Sequence, residues 1–183
     1  MGDSYKINNN DGIYFITITV IGWVDLFTRK EYRDIIIESL KYCQNNKGLV
    51  LYAYVIMSNH VHMMISVEEG FEAQNIVRDF KKFTSKEIIK RIKEIGESRR
   101  VWLLNKFKYE AHRVVRGKDY KVWKDGYHAK ELNSAEMIEQ KLNYIHNNPV
   151  EAGIVLSPEE YLYSNAKNYA DQPDKLIEVT FAL

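Results

Sequence analysis

Leu49-Val50-Leu51-Tyr52-Ala53-Tyr54-Val55-Ile56-Met57-Ser58-Asn59-His60-Val61-His62-Met63-Met64-Ile65-Ser66-Val67 is the stretch on which the fold turns. Its two halves, 49–57 and 60–67, are rich in β-branched, aromatic and other apolar residues. With Ser58-Asn59 between them they predict two antiparallel strands joined by a tight turn. Successive strand side chains point to opposite faces, so His60 and His62 project together while Val61 and Met63 project the other way into a core. Two imidazoles held side by side on rigid backbone are half of a metal site. Taken alone, the pair reads first as two half-buried or surface histidines.

Working outward, Gly48 ends a preceding helix in which Tyr32, Ile35, Ile36, Ser39, Leu40 and Cys43 recur on one face. Thr28 followed by Glu31 reads as the capping box that starts it, and Asn46 as its approximate end. Before it, Ile13 to Val20 reads as a central strand. After the hairpin, a long helix from about Glu72 to Ile95 can bury Ile76, Phe80, Phe83, Ile88 and Ile92 and leave Arg78, Lys81, Lys82, Lys86 and Lys90 wet. The stretch from Arg99 to Val115 reads as helical or irregular, followed by short strands near Tyr120–Lys124 and His128–Leu132. Asn133 with Glu136 caps a helix to about Asn147, where Pro149 disfavours helical geometry in the residue before it. Pro158 and Glu159 introduce a last element around Tyr161 to Tyr169.

The order strand, helix, strand, strand, helix predicts an α+β fold: a ferredoxin-like antiparallel sheet with helices on one face, extended by the later helix. A chain of 183 residues, 45% apolar and 28% charged, is long enough for one core and short for two. Residues 1–183 are therefore expected to form a single domain, its core about 13–170. Cys43 is the sole cysteine, so neither a disulfide framework nor a cysteine zinc site arises. No apolar signal region or bilayer-length stretch is present, which points to a cytoplasmic protein.

The net charge of +1 conceals an asymmetry. Between Arg78 and Lys130 there are 17 Lys+Arg against 7 Asp+Glu, leaving 9 against 18 elsewhere. Solvated faces mix their signs, so this concentration points to an anionic partner. Nucleic acid comes before membrane, because no amphipathic anchor accompanies the charge.

A second segment stands far downstream: Gln140-Lys141-Leu142-Asn143-Tyr144-Ile145-His146-Asn147-Asn148-Pro149-Val150. Ile138, Leu142 and Ile145 form its apolar stripe. Tyr144 and Asn148, four residues apart, stack on one side about a quarter turn away, able to reach a shared point at the sheet edge.

Ser58-Asn59-His60-Val61-His62 together with Asn143-Tyr144-Ile145-His146-Asn147-Asn148-Pro149-Val150-Glu151-Ala152-Gly153 resembles the HUH single-tyrosine transposases, most closely the REP-associated tyrosine transposases. The similarity runs from about Tyr14 to Tyr169 and includes Phe80-Lys81-Lys82-Phe83-Thr84, Trp123 to His128, and Tyr161 to Tyr169. By that resemblance Tyr144, in the Tyr-Ile-x-x-Asn-Pro motif, is the nucleophile. His60 and His62 hold a divalent metal, and Asn148 is the third ligand. Asn148 could instead merely cap the helix before Pro149, and Tyr144 could serve plain packing like most of the 13 tyrosines.

The chemistry fits such a set. A phosphodiester repels nucleophiles, so a cation must bind a non-bridging oxygen. Two imidazoles and an amide oxygen suit Mn²⁺ well and Mg²⁺ acceptably, whereas Zn²⁺ more often recruits a carboxylate or thiolate. A phenol of ordinary pKa, about 10, needs a base or nearby cation, and Lys141 is a candidate. The resemblance implies attack on single-stranded DNA flanked by hairpins, release of a 3′-hydroxyl and a 5′-phosphotyrosine. A second 3′-hydroxyl can then reverse the step and join a new strand.

Lys81, Lys82, Lys86, Arg113, Arg116, Lys121 and Lys124 are candidates to neutralise phosphates, and Trp123, Tyr120 and Trp102 to stack on bases, each aromatic having a core role as its alternative. His128 lies in an aromatic-x-x-Gly-Tyr-His pattern that resembles the family's, as support or DNA contact. His112 and His146 read as ordinary polar residues. The family includes monomers and dimers with exchanged tyrosine helices; the length here leans to the monomer. Two other classes stay open: a non-catalytic nucleic-acid-binding module, and a metal-dependent phosphoesterase that uses water.

Overall fold

The protein is described from a computed structural model covering residues 7, 9–114, 119–173 and 175–182. Its strands are β1 (Tyr14–Thr19), β2 (Leu49–Ile56), β3 (His60–Val67) and β4 (His128–Glu131). Its helices are α1 (Lys30–Lys47), α2 (Ala73–Glu94), α3 (Arg100–Val114), α4 (Ala135–Glu151) and α5 (Ala166–Tyr169). The sheet order is β2-β3-β1-β4, with every pairing antiparallel. This is the expected ferredoxin-like arrangement.

The alternation of β1 and β3 sorts the chain into two layers. Ile16, Met63 and Ile65 meet Leu40 and Cys43 of α1 and Ile76, Val77 and Phe80 of α2. Phe15, Thr17 and His62 point the other way, where α4 lays Lys141 and Tyr144 over the Phe15 ring. Covered on both faces, β2 and β3 are buried along most of their length. Gly48 closes α1 in the left-handed region (φ 63°), and a Cβ there would lie 2.3 Å from the Phe71 ring. Beyond β2, the segment at 163–165 extends the edge by backbone bonds from Ile56 N to Tyr163 O and from Asn165 N to Tyr54 O. No helix among the described residues is long and apolar enough to cross a membrane.

Several local expectations are corrected. Thr28 does not cap α1: the N-cap is Arg29, without a side-chain cap bond, and the Thr28 hydroxyl accepts from Arg99 instead. The buried Glu97 carboxylate draws this corner together, accepting from Arg29 Nε at 2.8 Å, Tyr32 Oη at 3.0 Å and the Arg99 backbone N–H at 2.9 Å. Within α2, Phe83 is 54% exposed, because Thr84 and Val77 rather than Phe83 complete the buried stripe. The stretch 120–124 makes one isolated bridge, Val20 to Trp123, in place of a strand. The last element resolves into a 3₁₀ turn at Pro158–Glu160 and the short α5.

The largest correction concerns α4. Ser134, not Asn133, caps it, accepting from the Met137 N–H. The helix also does not stop near Asn147 but runs through Pro149 to Glu151. A proline there removes one ladder bond and crowds the preceding residue. Burial of Leu142, Ile145, His146 and Pro149 on one face outweighs that local cost.

Candidate active site

Four rings form a chain of successive contacts on the face of the sheet that α4 crosses. Trp23 meets His60 at 6.4 Å between centroids, His60 meets His62 at 4.6 Å, and His62 meets Tyr144 at 5.3 Å. Tyr144 Oη lies 3.5 Å from His62 Nε2. Strand alternation places the histidines on this face, and α4 delivers the phenol from above. The meeting point therefore lies over the two central strands, β1 and β3, rather than at the expected sheet edge.

Each histidine is steered by its Nδ1. Thr17, directly across the β1–β3 ladder from His62, sets its Oγ1 2.8 Å from His62 Nδ1. Asn59 sets its Oδ1 2.8 Å from His60 Nδ1. Asn59 is itself fixed, donating from Nδ2 to Asp25 Oδ1 at 3.1 Å, while the Ser58 hydroxyl donates to the same oxygen at 2.6 Å. With Nδ1 protonated and donating to these oxygens, both Nε2 atoms present lone pairs, the tautomer that metal-binding histidines adopt through their outer partners. Thr17→Val keeps the β-branched shape but removes the hydroxyl, and we expect Mn²⁺ affinity to fall about 10- to 100-fold by titration calorimetry. Unchanged affinity would mean that Thr17 does not orient His62.

Electrostatics keep the pair neutral. Burial, reinforced by His60 and Lys141, pushes the His62 imidazole from 6.5 down to about 3, and burial also lowers His60. Below about pH 6.5 the unfolded chain takes up a proton that folded His62 refuses. The stability of the neutral form is therefore present above pH 6.5 and lost as pH falls toward 3. By pH 4.5 the loss amounts to about 2–3 kcal/mol. Urea midpoints of the metal-free protein should drop over this window more steeply than those of His62→Gln; parallel slopes would contradict the burial.

The donor set fits a divalent cation. The two imidazole rings lie 4.6 Å apart between centroids, and no group of three His, Cys, Asp or Glu that could hold a metal occurs among the described residues, so further ligands would be amide, water or phosphate oxygens. Asn148 follows Tyr144 by one helical turn, half-buried. Because α4 continues to Glu151, the helix does not end at Asn148.

Other sequence candidates separate clearly. Lys81, Lys82, Lys86 and Lys124 line a groove of about 780 Å³ between α2 and residues 120–127, joined by Arg78. Lys81 reaches the backbone carbonyls of Lys124 and Gly126. Lys121 is buried and bonded to Asp125 at 2.6 Å, so its charge is already paired. Trp123 is a core residue rather than an exposed platform: it packs on Phe27 and donates from Nε1 to Thr84 Oγ1 at 3.0 Å. Tyr120 is half-buried beneath Lys93. Arg113, on α3, is exposed and lies near Glu110, and Trp102 is 53% exposed. Arg116 lies outside the described residues.

His128 is exposed on β4 opposite Thr17, which puts it on the same face as His62. His112 is exposed, whereas His146 is buried, with its Nε2 3.3 Å from Asn165 Oδ1.

Sequence reading missed Thr17, Asn59, Asp25, Trp23 and Lys130. Lys130 pairs with Phe15 across the β1–β4 ladder, beside Lys141, whose Nζ sits 4.8 Å from the Phe15 ring and 5.0 Å from the Tyr144 ring. Burial and the Lys130 charge lower the Lys141 amine below its usual range. Only Asn59, inside the Ser-Asn-His-Val-His motif, carried a visible signal.

The profile described as "Transposase IS200 like" matches residues 13–111, and the chain belongs to that family. Among solved structures, a REP-associated tyrosine transposase bound to a REP hairpin aligns with a TM-score of 0.65 at 16% identity, covering 100% of this chain and 92% of that one. A protein of Deinococcus radiodurans described as a transposase aligns at 0.47 and 15% identity, covering 80% and 95%. No curated protein matches the chain.

Proposed function

We propose that this transposase is a metal-dependent endonuclease and strand transferase acting on single-stranded DNA through a 5′-phosphotyrosine at Tyr144. The reading rests on one observation: Tyr144 Oη stands 3.5 Å from the Nε2 of a histidine whose other nitrogen is already engaged. His60, His62 and Asn148 would hold Mn²⁺ or Mg²⁺. When bound, the cation supplies Lewis-acid stabilisation of charge on the non-bridging phosphate oxygens.

The protein's own residues account for the rest. Tyr144 Oη attacks phosphorus, the bond to the 3′-oxygen breaks, and the phenolic proton ends on the departing 3′-hydroxyl. The 5′-phosphate stays on Tyr144, and a 3′-hydroxyl from another strand reverses the exchange. Lys141 and Lys130 bring positive charge to the phenol and the phosphate beside it.

The substrate is proposed from charge and likeness together. The lysine-lined groove suits a DNA backbone, with Lys82, Lys86 and Lys124 exposed along it. The aligned REP-associated transposase carries a REP hairpin, so hairpin DNA with a single-stranded flank is the substrate class we assign. Arg113 and His128 are secondary contacts in this reading.

A labelled library of hairpin oligonucleotides, incubated with the protein and Mn²⁺ and run on a denaturing gel, tests the proposal. A band that survives denaturation and disappears on protease treatment is the expected result. Affinity without any such species would favour a non-catalytic binder, and cleavage without it a water-using phosphoesterase.

A further inference from the structure

Beyond the groove and the catalytic residues, one exposed side chain lies against the site with no structural task of its own. Trp23 is 62% exposed, although its neighbours Val24 and Leu26 are buried. Its backbone is left-handed (φ 55°), a region that residues with a Cβ avoid, and Gly22 before it is left-handed as well (φ 65°). A side chain at Gly22 would be strained by this positive φ, and its Cβ would displace the flexible end of Lys106, whose Cε lies 2.9 Å away. The turn is tied down throughout: Val20 N donates to Asn59 O at 2.9 Å, Ile21 N to Val122 O at 2.8 Å, and Trp23 N to Val20 O at 3.1 Å. Strained backbone held this firmly, only to leave an indole in water, points to a ligand for that indole.

We propose that Trp23 is the stacking platform for the unpaired nucleobase of the nucleotide immediately 5′ of the cut. The proposal rests on the transferase reading above. Tyr144 and Trp23 are the two ends of the chain of ring contacts Tyr144, His62, His60, Trp23. In-line displacement sends the leaving 3′-oxygen away from the nucleophile. The nucleotide that carries it therefore departs toward the Trp23 end, where the rigid aromatic face waits. Every base has a π face, so the contact positions the strand without selecting a sequence. The fixed backbone means that little ordering is left for the strand to induce.

The test is a cycle of Trp23→Ala against oligonucleotides made abasic at each position around the cut. It is read both as single-strand affinity by fluorescence anisotropy and as the rate of adduct formation. On intact DNA, Trp23→Ala should weaken binding about 5- to 150-fold, the span of base–aromatic stacking, and Trp23→Phe should recover most of it. At the position 5′ of the cut, and there alone, the abasic oligonucleotide should make wild type and Trp23→Ala equal. Mn²⁺ affinity should be the same in both proteins, which excludes a disturbed His60.

Losses that simply add at every position, or an unchanged Trp23→Ala, overturn the platform. A wild-type protein that shows the affinity coupling but forms no adduct overturns the catalytic reading instead, and leaves the platform standing.

Discussion

Tyr144→Phe should eliminate the covalent protein–DNA species, lowering its formation at least about a thousandfold, because the oxygen proposed as nucleophile is removed. The substitution is unusually clean. The ring keeps its edge contact with Phe15, at 5.8 Å between centroids, and its packing against His62. The deleted hydroxyl makes only a long contact, 3.5 Å, to His62 Nε2. Stability should therefore change by no more than about 0.5 kcal/mol, and single-strand affinity should persist. A denaturing gel with labelled hairpin DNA reads the chemistry, and a urea melt reads the fold. An adduct that forms at the wild-type rate in Tyr144→Phe would remove Tyr144 from the reaction. Strand cleavage that survives without an adduct would hand the attack to water.

His60→Ala should be the second large loss. It removes one of the two imidazoles proposed as metal donors, so Mn²⁺ affinity should fall by more than the roughly 10- to 100-fold attached to an outer partner such as Thr17. Adduct formation should fall with it, and excess Mn²⁺ should restore part of the rate. His60 is the better target than His62 because it is half-exposed, whereas His62 is 6% exposed and stacked on Phe15 at 5.2 Å. Alanine at 62 would add a packing defect to the lost ligand. Calorimetry with Mn²⁺ alone separates metal loss from substrate loss. Full activity in His60→Ala, with or without chelator, would end the metal reading. Intact DNA affinity beside abolished cleavage would place the histidines in chemistry rather than in binding.

The sequence by itself determined the local geometry of both halves of the site. Period-two alternation in 60–67 puts His60 and His62 on one face whatever the strand pairs with, and helical period puts Asn148 one turn beyond Tyr144 whatever the helix covers. The ferredoxin-like order followed from the sequence of elements, and the left-handed stop of α1 followed from Gly48.

Only the tertiary structure decided which groups meet. Ladder register set Thr17 beside His62 and His128, and no pattern within β1 encodes that partner. The passage of α4 across the face opposite α1 and α2, and its continuation through Pro149, came from burial of Leu142, Ile145 and Pro149 against a local preference to stop. The same rule sent Trp123 and Lys121 inward, away from the surface that their charge and aromatic character suggested, and left Trp23 outside. Periodicity is a short-range property that the chain carries with it. Register, crossing and exposure are set when distant segments compete for one core, and that competition is written in no single segment.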